Sequence, residues 1–316
     1  MTAGDVSTIG DLGEFGLIDR LTQHLGTSPV VLVGPGDDAA QIATGAMGTL
    51  VTTDLLIENR HFRRDWSSAY EIGRKAAACN LSDINAMGGR GTALTVGFAA
   101  PGDLPLEWAI DFTKGLEEEA SKVGAHIVGG DVSAAETIVI AVTALGKATK
   151  VVTRDGAKVG DVVAVAGTLG LAGAGYAALS RGFRSPKVAV DAHRVPTPPY
   201  DAGPAAAEAG ANAMTDISDG LLADLGHVAT ASGVAIDLDP EAFDIPPAVA
   251  TVGEALQADP LRFMLTSGDS YALVATFSPV TTLPPGWTIV GSVHEGEGVT
   301  VAGAPYEDAA GHQHFR

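Results

Sequence analysis

Aspartates that close apolar stretches are the residues whose types and spacing suit chemistry in this chain. Val30–Asp38 (VVLVGPGDD), Leu50–Asp54 (LVTTD), Ile127–Asp131 (IVGGD), Ala213–Asp219 (AMTDISD) and Met264–Asp269 (MLTSGD) each run through small residues into an acid. Asn80–Asp83 (NLSD) does so inside an Ala-rich helical stretch. The pattern places Asp37, Asp38, Asp54, Asp131, Asp216 and Asp219 where strands give way to loops, the edge at which α/β folds hold ligands. Any one of them also reads as a helix cap or turn former. Asp83 is less easily dismissed. It shares a helix face with Asn80, Ala76 and Met87 on a helix too apolar to be exposed all round. A buried carboxylate needs a partner, and nearby basic residues are too few to pair the whole set. Divalent cations would pair them. Thiol-free oxygen ligation by the aspartates with Thr52 and Thr53 suits Mg²⁺, a hard ion shared with substrate phosphates.

Asp216-Ile-Ser-Asp219-Gly220 opens a helix expected over 219–231, whose free N–H groups and dipole would face an anion bridged by metal to Asp216 and Asp219. Ser218 or Asp219 as a plain N-cap is compatible with this. The basic island Arg60-His61-Phe62-Arg63-Arg64 reads either as a solvated loop or as a grip on a substrate phosphate, and Arg154 is poised for a nucleotide phosphate. Lys75 is expected to pair with one of the clustered carboxylates, and Cys79 to be a small buried residue rather than a nucleophile. Gly173-Ala-Gly175-Tyr-Ala-Ala178 fits G-x-G-x-x-[GA]. The following strand that a dinucleotide site requires is replaced by Arg181–Pro186 and a Pro-rich connector, so these glycines read as close helix–strand packing.

These groups need elements to hold them. In the first half an amphipathic helix is expected over Glu14–Leu25, and strands at Val30–Val33, Leu50–Thr53, Ala93–Phe98 and Thr137–Leu145. Between them lie a helix opened by the capping box Ser68-Ala-Tyr-Glu71 and running to Met87-Gly88-Gly89, and a second over Leu106–Val123. The polar segment Lys147–Asp161 marks a boundary, giving an N-terminal α+β domain over 1–148 and a C-terminal α/β domain over 149–316. In the second half, strands are expected at Val162–Ala166, Val234–Leu238, Tyr271–Phe277 and Trp287–Val293, with helices over Leu171–Ser180 and Asp219–Ala231 and a connector at Val195–Pro199.

The chain has 316 residues, 46% hydrophobic and 18% charged, enough for a substantial core. Its net charge of −19 argues against nucleic acid or an anionic membrane as a partner. One cysteine excludes an internal disulfide framework and suits a reducing compartment. No signal-like start, membrane-length apolar run or P-loop signature occurs, so a cytoplasmic protein without P-loop chemistry is expected.

GDDAA at 36–40, TTD at 52–54, His61, NLSDINAMG at 80–88, GGD at 129–131, TRDGAKVGD at 153–161 and TDISDGLLADLGH at 215–227 come in an order that resembles the thiamine-monophosphate kinase family over about residues 9–293. The resemblance implies the two-domain fold shared with aminoimidazole ribonucleotide synthetase, a homodimer formed by the N-terminal half, and ATP-dependent phosphorylation of thiamine monophosphate to thiamine diphosphate. The transfer would be direct and in line, on several Mg²⁺ ions, with K⁺ left open as a further cation. It implies metal ligation by Asp38, Thr52, Thr53, Asp54, Asp83, Asp131, Asp216 and Asp219. ATP contacts are implied at Gly130, Asp131, Arg154 and Ser218, and substrate contacts at His61, Asp269 and His312. Asp269, in Ser267-Gly-Asp-Ser-Tyr-Ala-Leu273, stands where the family has a Glu, one methylene longer. His312 stands where the family has an aromatic residue. A synthetase-like enzyme of the same fold and a non-catalytic acidic nucleotide- or cation-binding protein are the competing readings.

Overall fold

The computed structural model describes residues 28–45, 48–306 and 311. The helix expected over Glu14–Leu25 and the substrate contact expected at His312 lie outside these residues.

The first half builds a six-stranded sheet from β1 (Val31–Val33), β2 (Ala40–Ile42), β3 (Thr49–Ile57), β4 (Arg90–Ala100), β5 (His126–Ala134) and β6 (Val139–Lys147), in the order β1-β2-β3-β6-β4-β5. Only β4 and β5 pair in parallel; the connection between them is helical, as parallel neighbours require. Helices α1 (Ala69–Ala86) and α2 (Leu106–Ser121) cover one face. Ser68 caps α1 in the expected capping box, accepting from the Glu71 N–H while the Glu71 carboxylate accepts from the Ser68 N–H. The two helices approach so closely that a Cβ on Gly115 would lie 2.0 Å from the Tyr70 carbonyl oxygen. Leu50, Leu56, Ile72, Leu81, Ile84, Leu94, Leu116 and Ile140 fill the core between sheet and helices.

The second half builds a seven-stranded sheet, β13-β12-β9-β11-β7-β10-β8, from β7 (Val162–Ala166), β8 (Ala213–Asp216), β9 (Ala235–Leu238), β10 (Leu273–Phe277), β11 (Trp287–His294), β12 (Gly298–Val301) and β13 (Ala304–Pro305). Its helices are α3 (Leu171–Leu179), α4 (Lys187–Arg194), α5 (Ala202–Ala209), α6 (Leu221–Ser232), α7 (Pro247–Leu256) and α8 (Pro260–Thr266). Four of them, α4, α5, α7 and α8, fall in segments to which the sequence pattern assigns no element. The glycines of the dinucleotide lookalike pack α3 against other helices rather than against a strand. A Cβ on Gly175 would lie 2.1 Å from the Ala189 carbonyl oxygen on α4, and one on Gly173 would lie 2.2 Å from the Ser267 side chain just after α8.

Helix α1 belongs to both halves. Its Ala86 packs with Met214, Leu273 and Phe277 of the second sheet, and its Asn85 side chain accepts from the Gly203 N–H and donates to the Pro199 carbonyl. This shared helix brings residues near position 83 against residues near 216. No helix among the described residues is long and apolar enough to cross a membrane.

Candidate active site

Three distant segments meet at the C-terminal half of α1. The turn between β1 and β2 supplies Asp38, α1 supplies Asp83, and the end of β8 supplies Asp216. One carboxylate oxygen from each lies within 4.8 Å of the others. Thr52 on β3 donates to Asp83 at 2.6 Å, and Ser82 donates to Asp216 at 2.7 Å. Asn80 accepts from the Asp54 N–H at 3.0 Å while donating to the Ala76 carbonyl, which fixes β3 against the helix. Among the described residues, the cation that enters the cluster is Arg154. Arg154 donates to Asp38 at 2.7 Å and to Thr215 at 3.2 Å, and Thr215 donates in turn to Asp38 at 3.0 Å. The other Asp38 oxygen, Oδ2, is buried without a hydrogen-bond partner.

Burial and mutual repulsion govern this group. Asp54 is pushed up to about 6, first by loss of water and then by the charges of Asp38 and Asp219. Asp83 and Asp216 are raised well above the carboxylate range, first by burial and then by their acidic neighbours. Burial works against the Arg154 charge, but Asp38 more than reverses it and raises the guanidinium. Oxygen donors crowded around an unanswered buried oxygen, with one arginine among them, are chemically suited to a hard divalent cation.

The structure divides the expected metal ligands into two groups. Asp38, Thr52, Asp54, Asp83, Asp216 and Asp219 belong to the cluster side. Asp54 and Asp131, expected at strand ends, instead lie inside β3 and β5, and strand parity then decides their faces. Asp54 is in phase with the core residues Leu50 and Leu56. Asp131 is in register with Gly97, Ala141 and, through them, the exposed Leu55, on the face away from the helices. Thr53 lies on that open face too, hydrogen-bonded to Thr143 at 2.8 Å. Asp131 is three strand spacings from Asp54, roughly 14 Å, besides facing the other way. Gly130 has a packing reason of its own, since a Cβ there would lie 2.0 Å from the Val96 carbonyl oxygen.

Helix α6 begins at Leu221, two residues later than expected, with Gly220 (φ +133°) as N-cap, so neither Ser218 nor Asp219 caps it. The N–H groups of Asp219 and Gly220 are answered from within by Asp224, at 3.2 and 3.1 Å. Asp224 was not among the candidates. The signal was present, because it lies on the face of Leu221, Leu225 and Val228. It is pushed up to about 8, by burial and then by Asp219.

Of the basic island, Arg64 pairs with Glu58 at 2.5 Å, and Arg63 pairs with Asp65 at 2.8 Å while lying 4.6 Å from the Trp66 ring centroid. The solvated-loop reading describes these two. His61 Nδ1 accepts from the Ile57 N–H at 2.9 Å, folding the turn after β3. Cys79 is buried, and burial raises its thiol. Lys75 pairs with Asp269 at 2.8 Å, where burial is outweighed by the ammonium and the carboxyl is lowered. The Ser218 carbonyl accepts the Asp269 N–H at 2.8 Å.

With this geometry in hand, the chain can be set beside known proteins. Residues 36–148 match the model for the AIR synthase related protein, N-terminal domain, and 158–309 match its C-terminal domain. Thiamine-monophosphate kinase of Mycobacterium tuberculosis is 45% identical over 317 residues, covering 99% of this chain and 95% of that one. The chain belongs to the thiamine-monophosphate kinase family. The enzyme of that name from Aquifex aeolicus is 34% identical over 96% of this chain and 99% of its own length. The solved structure of AaThiL complexed with AMPPCP and TMP superposes with a TM-score of 0.89 at 33% identity, covering 98% of this chain and 100% of that one. Hydrogenase maturation protein HypE of E. coli, at 21% identity and a TM-score of 0.65, shares the fold.

Proposed function

We propose that this chain transfers the γ-phosphoryl group of ATP directly to the phosphate of thiamine monophosphate, giving thiamine diphosphate and ADP, the last step in making that cofactor. The observation that carries the reading is the convergence of Asp38, Asp83 and Asp216 on one spot with Asp38 Oδ2 unanswered. Two anionic substrates cannot approach such a site without cations. Asp38, Thr52, Asp54, Asp83, Asp216 and Asp219 would hold Mg²⁺, which neutralises the phosphates and the charge that develops during transfer. Arg154, locked to Asp38, orients that ligand and offers its remaining donors to ATP. Ser218, whose carbonyl is tied to the Asp269 loop, would present its hydroxyl to the nucleotide. Direct transfer is supported by the burial and raised thiol of Cys79, which is unsuited to attack.

Asp131 and Gly130 serve the same reaction only through a second copy of the chain. Both stand on the exposed edge strand β5, which also presents Val128 (65% exposed) and Val132 (77% exposed). A homodimer built on this sheet would cover the edge and deliver Asp131 of one protomer to the other's nucleotide.

Incubation with ATP, Mg²⁺ and thiamine monophosphate, with product separation by chromatography, tests the reading. Thiamine diphosphate and ADP should appear in equal amounts. A folded, ATP-binding protein giving neither product would overturn it.

A further inference from the structure

Arg154 is a long side chain on a very short element. It opens a three-residue 3₁₀ turn, Arg154–Gly156, which has no side-chain cap from Thr153. A single turn has no cooperative length to hold itself in place, so its position depends on what clamps it. The clamps come from both halves of the chain. Asp37, in the turn between β1 and β2, accepts the Arg154 N–H at 2.6 Å. Ser232, the last residue of α6, donates its hydroxyl to the Arg154 carbonyl at 2.8 Å and accepts the Ala157 N–H at 3.1 Å. One hydroxyl thus ties the two ends of the turn together, using its donor and a lone pair at once.

The floor beneath the turn is close-fitting. A Cβ on Gly156 would lie 1.9 Å from the Asn212 carbonyl oxygen, and the Thr153 carbonyl accepts the Met214 N–H at 3.3 Å. From this base the guanidinium reaches the Gly36 carbonyl at 3.3 Å, Asp38 at 2.7 Å and Thr215 at 3.2 Å. Each of these bonds is directional, so a tilt of the turn weakens all three together. Ser232 is not needed to end its own helix. Gly233 (φ +66°) does that, its N–H turning back to the Ala229 and Thr230 carbonyls. A serine in the last turn ordinarily bonds water or the carbonyl four residues back, whereas this hydroxyl bonds a different element.

We infer that Ser232 is a positioning residue for Arg154: its hydroxyl fixes the turn from which the guanidinium is held on Asp38 and presented to the nucleotide. This rests on the kinase reading above and adds to it a residue outside the acidic cluster. The consequence follows from where the loss would fall. Ser232 is half-buried, so without its hydroxyl the Arg154 carbonyl and Ala157 N–H turn to water at little cost to the fold. The guanidinium, in contrast, loses the base that sets its direction, and nucleotide binding bears the effect.

The test compares wild type with Ser232→Ala and Ser232→Thr. Alanine should raise the KM for ATP about five- to tenfold, the loss expected for one hydrogen bond. Its kcat and its KM for thiamine monophosphate should stay within about twofold, and its melting temperature within about 4 °C. Threonine keeps the hydroxyl and should restore the KM for ATP. Isothermal titration calorimetry with Mg²⁺ and a non-hydrolysable ATP analogue should show the same loss in Kd. On an Arg154→Ala background, Ser232→Ala should change that Kd less than about twofold, because nothing is left to position. Equal losses on the two backgrounds, no rescue by threonine, or an alanine variant with wild-type nucleotide affinity would overturn this inference while wild-type turnover left the kinase reading standing. A wild type that binds the analogue yet makes no thiamine diphosphate would overturn the kinase reading, and the Kd comparison would still decide the role of Ser232. A wild type that does not bind the analogue would overturn both.

Discussion

Replacing Asp54 by asparagine should stabilise the magnesium-free protein at neutral pH, although it removes a residue from the centre of the site. The folded structure raises this carboxyl from 3.8 to about 6, through burial and the charges of Asp38 and Asp219. A displacement of about two units corresponds to roughly 3 kcal/mol at 1.36 kcal/mol per unit. Water at the rim of the half-buried side chain screens part of this, leaving about 1.5–3 kcal/mol. The sign follows from linkage. A folded-state value above the unfolded one gives a contribution fully present below pH 3.8 and lost as pH rises through 6. Asp54→Asn and wild type should therefore melt alike near pH 4 in EDTA. By pH 8 the variant should melt higher by roughly 3–12 °C, at about 2–4 °C per kcal/mol. Adding Mg²⁺ at pH 8 should raise wild type by about 2.7 kcal/mol at a hundredfold excess over Kd and raise the variant less, because binding to the folded state alone is what stabilises. Differential scanning calorimetry at the two pH values, with and without Mg²⁺, reads all of this. A variant less stable than wild type in EDTA at pH 8, or a difference that ignores pH, would refute the claim that the cluster is held together against its own charge.

Three further outcomes follow from the same geometry. Asp54→Ala and Asp131→Ala should each abolish kinase turnover alone, and their unfolded-and-refolded equimolar mixture should recover about a quarter of it, because half of randomly paired dimers carry one intact site; a dead mixture would place both residues in one protomer's site. His193 is lowered from 6.5 to about 4, first by burial and then by Lys75, so its contribution is present above pH 6.5 and lost as pH falls toward 4. Urea unfolding across that window should show His193→Phe losing roughly 3 kcal/mol less than wild type. Lys75→Met should cost about 2–4 kcal/mol by leaving Asp269 uncompensated, and Lys75→Met/Asp269→Asn should regain most of it; additive losses in the double-mutant cycle would show that the pair is not coupled.

The parts legible in the sequence are those set by local rules. The start of α1 followed from Ser68 and Glu71 three residues apart, and its end from Met87-Gly88, with Gly88 at φ +76°. The half-hidden position of Asp83 followed from helical spacing, and Cys79 was rightly read as buried. Helices α7 and α8, in a stretch left unassigned between Leu238 and Tyr271, were missed although proline at their first position marks them. The strand-end placement of Asp54 and Asp131 failed because β3 and β5 run on past them. Extending a strand through an acid leaves no mark in composition.

By itself the sequence determined which groups could do chemistry. An excess of carboxylates over cations, without a usable thiol, left metal-assisted phosphate handling as its consistent use. Which carboxylates stand together was decided by tertiary structure. Asp38, Asp83 and Asp216 meet because α1 packs on both sheets, and Asp131 turns away from them because side chains alternate along a strand. Lys75 was expected to pair with a clustered carboxylate, but that its partner is Asp269, and that His193 joins them, was decided by contacts between distant segments. Local propensity acts over a few residues, whereas the register of a sheet and the seating of a shared helix depend on the whole core.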